Sequence, residues 1–274
     1  MINFSEEACL KQIIDNHNVN IEFQPIFDIS KQQILGYEAL TRGPANSPYQ
    51  SPIELFALAD RLGRLSELEL ICRKEAIHRY VELELGGKLF LNVSPAVLLD
   101  AEHPKGETLQ LLRYYGLAFE RVVIEVTERQ KVDDTLLKQA VNYYRDLGFT
   151  IAIDDLGVGH SGLQQWSELM PDIIKIDRYF IQNCHIDIVK KAFLRAIMFL
   201  AEATNTKVIA EGIEQHGELK LLLGLGVSYV QGYLLEMPQS SPSKYFPAHI
   251  NDALGRFAVE DTSAVRSPMK LRQA

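Results

Sequence analysis

The 274-residue chain is 47% hydrophobic, enough to bury a sizeable core, and its 36 acidic against 28 basic side chains give a net charge of −8. That sign is wrong for a broad grip on a nucleic-acid backbone, so a DNA or RNA polymer is not an expected partner. No apolar run approaches the roughly 20 residues of a membrane span, and "MINFSEEACLKQIIDN" lacks the basic flank, apolar stretch and cleavage site of a leader, so the cytoplasm is the expected location.

Short apolar runs alternate with longer amphipathic stretches along the chain. The first two runs, 19–27 and 33–40, are separated only by "DISKQ", too short for a crossover helix, so they are expected to pair antiparallel through a tight turn. Residues 52–85 read as two helices. Further strands are expected at 88–94, 122–128, 150–156, 172–179, 207–213 and 229–235, with helical patterns at 106–116, 134–148, 161–169, 186–204 and 215–226. Gly116, Gly148 and Gly226 stand where three of those helices would stop. Eight strands alternating with helices predict an α/β fold, a TIM-like (β/α)8 barrel with the first strand antiparallel. The core of the barrel is expected at about 19–238, within a domain spanning 1–240. Residues 241–274 read as a C-terminal helix and linker, Phe246, Ile250, Leu254 and Phe257 falling on one helical face. Cys9, Cys72 and Cys184 are odd in number and lack zinc spacing, which fits buried thiols.

Polar groups recur near the C-terminal ends of the strands: Glu38, Asn92, Glu125 with Glu128, Asp154 with Asp155, Lys175 with Asp177, Glu211 and Gln231. In a (β/α)8 barrel these ends share one face, where active sites of that fold lie. Taken singly, Asp155 also fits a helix cap, Asn92 a turn residue and Lys175 a solvated charge. Together, Glu38, Glu125, Asp154, Asp155 and Glu211 would repel one another in a low-dielectric mouth unless cations neutralised them or their pKa values rose. Two divalent ions answer that problem, and an all-oxygen ligand set favours Mg²⁺ or Mn²⁺ over zinc. One aspartate of the pair can bridge both ions while its neighbour serves the second, and Gly157 and Gly159 let the backbone turn beside them. A pair of ions roughly 3.5–4 Å apart is the usual clamp for phosphodiester hydrolysis, with Lys175 placed to hold the water and Arg42 to meet a phosphate oxygen.

The run "YEALTRG" resembles the signature of the EAL domains, bacterial phosphodiesterases that cut cyclic di-GMP. The resemblance continues in order through "LNVSP", "IEVTE", "IDDLGVGHSG", "IIKID", "IAEGIE" and "VQGYLLEMP". It implies that Glu38, Asn92, Glu125, Asp154, Asp155 and Glu211 are metal ligands for two ions, that Lys175 contacts the catalytic water, and that Gln231 lies beside the phosphates and metals. It further implies substrate contacts at Gln24 and Arg42, loop anchoring by Glu128, and a loop-orienting role for Glu214. The implied reaction is hydrolysis of cyclic di-GMP to linear pGpG. A receptor or protein-interaction domain that binds without turnover, and a hydrolase of another diester, are the competing readings. A homodimer formed through the loop after Asp155 and its neighbouring helix is implied as well, and a sensory or GGDEF domain in a longer protein is compatible with the end at "MKLRQA". The family's common loop reads DDFGTG followed by an aromatic. Here Leu156, Val158 and His160 depart from that pattern while both aspartates and both glycines are kept.

Overall fold

The computed structural model describes residues 4–99, 107–127, 134–157 and 162–265. Eight strands close into a barrel in sequence order: β1 (Asn20–Asp28), β2 (Gln33–Arg42), β3 (Lys88–Val93), β4 (Val122–Thr127), β5 (Thr150–Leu156), β6 (Ile173–Ile176), β7 (Lys207–Ala210) and β8 (Tyr229–Val230). β1 runs antiparallel to both β2 and β8, and every other pairing is parallel. The reversed first strand follows from the short connection, where the Asp28 carboxylate accepts the Ser30 hydroxyl at 2.6 Å and the Lys31 amide at 3.1 Å.

Around the barrel lie α1 (Phe4–Asp15), α2 (Pro52–Arg61), α3 (Leu65–Glu82), α4 (Pro95–Leu99), α5 (Glu107–Tyr114), α6 (Asp134–Asp146), α7 (Gly162–Leu169), α8 (Arg178–Ile181), α9 (Ile188–Thr204), α10 (His216–Gly224) and α11 (Ala248–Val265). The main core fills the space between sheet and helices, and Phe246, Ile250, Leu254 and Phe257 pack against it. A second core joins α1 to α2 and α3 through Leu10, Ile13, Leu55, Leu58, Leu68 and Ile71. The sequence reading did not single out α1, because a short amphipathic segment shows its partner only once the helix pair it covers is folded.

Three strands are shorter than their apolar runs suggest. β6 stops at Ile176 because Asp177 caps α8, its carboxylate accepting the Tyr179 amide at 2.7 Å. β7 ends at Ala210 and β8 keeps only two residues. The three helix-stop glycines, Gly116, Gly148 and Gly226, all have positive φ, as expected of that position.

A third apolar cluster, Ile26, Phe90, Val123, Ala152, Ile173 and Ile209, plugs the inside of the barrel. Side chains alternate in and out along a strand, so the residue two positions beyond each plug residue also faces inward. Those positions are Asn92, Glu125, Asp154, Lys175 and Glu211, and in the reversed β1 the step runs backward from Ile26 to Gln24. An apolar floor thus lies under a polar layer at the C-terminal mouth. Ile209→Ala should lower unfolding free energy by about 2–5 kcal/mol in urea denaturation, since the closed sheet cannot collapse onto the hole. A loss below about 1 kcal/mol would show that it can.

Candidate active site

The Lys175 ammonium sits at the centre of the polar layer, 1% exposed, within 2.6 Å of Glu211, 2.8 Å of Glu125, 3.1 Å of Glu38 and 3.2 Å of Asp154. It is no solvated charge. β6, buried at all four positions, delivers it there from the strand interior. Glu38 is held from two further sides, its Oε2 accepting the Gln231 amide at 2.9 Å and its Oε1 the Asn92 amide at 3.2 Å. The same Gln231 nitrogen reaches Gln24 Oε1 at 3.1 Å, while the Gln24 amide donates to the Glu236 carbonyl at 3.0 Å. Eight side chains from eight different stretches of sequence therefore form one contiguous network.

The paired aspartates need a local irregularity to share this mouth, because neighbours on a regular strand face opposite sides. Between Ile153 and Leu156 β5 advances three residues while β6 advances two, from Ile174 to Ile176, which is a β-bulge. Asp155 takes the strain with φ 57°, in the left-handed region that Asp tolerates better than most residues. Gly157 follows at φ 103°, and a Cβ there would lie 2.2 Å from the Phe180 ring, so the turn has room only for glycine. The outcome is a carboxylate group, Asp154, Asp155 and Glu211, whose oxygens lie within 4.8 Å of one another.

Electrostatics show what the site is built to hold. Burial pulls Lys175 down, but Asp154, Glu125, Glu211 and Glu38 together hold its pKa well above the ordinary lysine value. Burial raises Glu125 and Glu211 well above the usual carboxylate value and raises Asp154 too, against the pull of Lys175. Glu38 alone ends lowered, burial being outweighed by the Lys175 charge and by donors from Gln231, Lys175 and Asn92. One ammonium cannot balance four carboxylates and the adjacent Asp155. Glu125 Oε2 and Gln231 Oε1 are moreover buried without a hydrogen-bond partner among the described residues. Oxygen donors in excess of available positive charge, some of them orphaned, fit hard divalent cations.

Two cavities meet at Asp154 and Asp155. One, of about 350 Å³, is bounded by Gln24, Glu38, Glu211 and Gln231; Glu214 stands on its rim, 3.7 Å from Arg178. The other, of about 430 Å³, has an apolar wall including Leu40, Pro52 and Phe56, with Arg42 and Asn92 beside it. Arg42 is paired with Glu22 at 2.9 Å, a partner the sequence reading did not identify. Glu128 lies outside the described residues, as do Val158, Gly159 and His160. Another residue overlooked at that level is Glu218, which is fully buried. It accepts the amides of Glu214 and Gln215 at 3.0 Å each and that of Asn183 at 2.7 Å, fixing the loop after β7. Its signal was present as the capping pattern "QHGE".

The match to known proteins agrees with this geometry. The EAL domain family matches residues 7–238, and the chain belongs to that family. The probable cyclic di-GMP phosphodiesterase PdeB of Escherichia coli K12 is 30% identical over 233 residues, 82% of this chain and 43% of PdeB. YkuI of Bacillus subtilis, an EAL-domain containing protein, is 32% identical over 226 residues, 80% of this chain and 54% of YkuI. The chain thus spans about half or less of either relative. Among solved structures, a standalone EAL protein from Vibrio cholerae O395 in a c-di-GMP bound form has a TM-score of 0.76 at 32% identity, over 84% of this chain and 96% of that one. BlrP1 of Klebsiella pneumoniae, in a manganese and cyclic di-GMP complex, has a TM-score of 0.75 at 29% identity, over 81% of this chain and 56% of that one.

The raised carboxylates predict the pH dependence of metal binding. Glu125, Glu211 and Asp154 keep protons to higher pH than ordinary carboxylates, and a dication must displace them. Binding therefore releases protons. Mn²⁺ affinity measured by calorimetry should strengthen as pH rises through and above the ordinary carboxylate range of about 4–5, with an enthalpy that depends on buffer ionisation. A pH-independent affinity without proton release would show that these groups are already ionised.

Proposed function

We propose that this chain is a divalent-metal-dependent phosphodiesterase that hydrolyses cyclic di-GMP to linear pGpG in the cytoplasm. The observation that supports it most is the complete inward layer around Lys175, four carboxylates within 2.6–3.2 Å of one ammonium. A domain that only binds the dinucleotide has little physical reason to bury so much like charge. The relatives' names and the cyclic di-GMP complexes of similar structures supply the substrate. Two cavities joined at the aspartate pair suit a ligand with two similar halves and a phosphate between them.

In this reading Glu38, Asn92, Glu125, Asp154, Asp155 and Glu211 hold two ions, Mg²⁺ or Mn²⁺. When bound, such ions supply an acidified water and absorb charge on the phosphoryl oxygens. The chain's own part is to orient and to neutralise. Lys175, fixed by its carboxylates and kept protonated, directs its N–H donors at the attacking water. Gln231 and Gln24 form a hydrogen-bonded pair at the edge of the network, with Gln231 Oε1 open to a donor or cation. Arg42 reaches a non-bridging oxygen by exchanging Glu22 for phosphate, a trade of one anionic partner for another. Water oxygen forms the new bond to phosphorus, the bond from phosphorus to O3′ breaks, and the proton the water gives up is balanced by the one O3′ takes as it leaves. Glu128 keeps the role of anchoring the loop after the aspartate pair, and Glu214 that of orienting its own loop.

The test is a time course with cyclic di-GMP and Mg²⁺ or Mn²⁺, products separated by chromatography, with and without chelator. Metal-dependent pGpG is expected, and tight binding with no turnover would make the chain a receptor instead. Glu38→Ala and Asp154→Ala should abolish turnover while the circular dichroism spectrum is unchanged, and Lys175→Ala should lower kcat more than it raises KM.

A homodimer is part of the same proposal. The outward face of α9 carries Val189, Phe193 and Phe199, exposed by 59%, 52% and 70%, with the small residues Ala192 and Ala196 between them. Such a stripe lets a second copy of the helix approach closely. Phe193→Asp with Phe199→Asp should yield a monomer by light scattering, and an unchanged mass would move the interface elsewhere, toward α7 and the loop before it.

A further inference from the structure

We infer that Glu69, paired with Arg73, is a positioning residue that fixes Asn92 at the mouth of the barrel, an inference that rests on the metal-site reading above. The two residues stand one turn apart on α3, their charged ends 3.2 Å apart, and are 6% and 5% exposed. Both border the larger cavity beside Asn92 and Ser94, yet neither belongs to the ring around Lys175. Glu69 Oε2 accepts the Ser94 amide at 3.3 Å. Ser94 in turn caps α4, its carbonyl accepting the Val97 and Leu98 amides at 3.0 and 3.1 Å. The link therefore locks the turn two residues beyond Asn92, whose amide donates to Glu38 at 3.2 Å. Cys72, on the same helix, lines that cavity together with Thr41, the residue before Arg42.

A buried ion pair is a costly way to gain stability, since apolar residues of similar volume commonly do as well or better. Its retention here is explained by the acceptor it presents to Ser94. The Ser94 N–H donates to Glu69, and without that carboxylate the donor would need another partner. Arg73 keeps the Glu69 carboxylate aimed at it. Groups that orient a metal ligand from behind typically change metal affinity by about 10–100-fold when removed.

The experiment is Mn²⁺ binding by calorimetry to the full chain and a set of variants. Glu69→Met with Arg73→Met removes the charges together and should fold, with Mn²⁺ affinity about ten-fold weaker. Glu69→Gln with Arg73→Met keeps an acceptor for Ser94 and should recover most of that loss. In an Asn92→Ala background the Met pair should add little, because its effect runs through Asn92. Wild-type affinity in the Met pair overturns the inference, as does a loss that adds in full on top of Asn92→Ala. Wild-type affinity in Asn92→Ala alone overturns the ligand role of Asn92, and with it this inference, while leaving the carboxylate site standing. Should the Met pair fail to fold, Ser94→Pro removes the donor and leaves the ion pair intact, with the same weakening expected and no change overturning the inference.

Discussion

A single ammonium buried among four carboxylates sets the terms for this barrel. Lys175 needs those anions to stay charged at 1% exposure, and they need it to be brought together at all. The exchange is unequal, with more negative than positive charge, and the imbalance is what makes the mouth receptive to cations. The surrounding structure is arranged around that imbalance. Beneath it lies a floor of Ile, Val, Phe and Ala that keeps water out and the dielectric low, and at its edge Gln231 and Asn92 tie Glu38 down with neutral donors while Gln24 accepts from Gln231.

Much of this was legible in the sequence because the inside of a barrel is a period-two object. Each strand places an apolar plug residue and then, two positions on, a polar one, so "FLN", "VIE", "AID", "IIK" and "IAE" carry the same message five times. Chain reversal was legible too, since the five residues "DISKQ" cannot house a crossover. What was hidden depends on partners distant in sequence. Arg42 reads as a free cation until Glu22 is found across the antiparallel pair, one strand away. Glu218 and Glu69 sit in helices whose amphipathic patterns mark them only as inward-facing, and the backbone amides they satisfy belong to other loops. α1 is concealed for the same reason, its apolar face meaningful only against α2 and α3.

The aspartate pair shows where a regular pattern fails for a purpose. A strict strand would send Asp155 to the helix side, into the main core, where an unpaired carboxylate costs several kcal/mol. The bulge and the left-handed φ of Asp155 convert that position into a second carboxylate at the mouth. Strain of this kind persists only where neighbours over-determine it. Here Phe180 does so, its ring filling the space that any side chain at Gly157 would need. Leu156, which replaces the family's common phenylalanine, is buried at 3% exposure, so the departure keeps the apolar anchor of the turn.

Reversal of β1 has a consequence for the site as well as for the topology. In a barrel of eight parallel strands the first would bring its C-terminal end to the mouth and send its loop outward. Here β1 enters from the mouth side, Gln24 stands midway along it and the hairpin to β2 lies at the opposite end. The segment after β8 then returns to the same edge, where Gln239 pairs with Phe23 and the Glu236 carbonyl takes the Gln24 amide. The polar layer is closed on this side by backbone from both ends of the barrel sequence. On the proposed reading, a phosphodiester arriving there meets an anionic ring with neutral amides along one edge. It can stay only if cations come between it and the carboxylates, so metal and substrate must favour each other's binding, each supplying the charge the other needs.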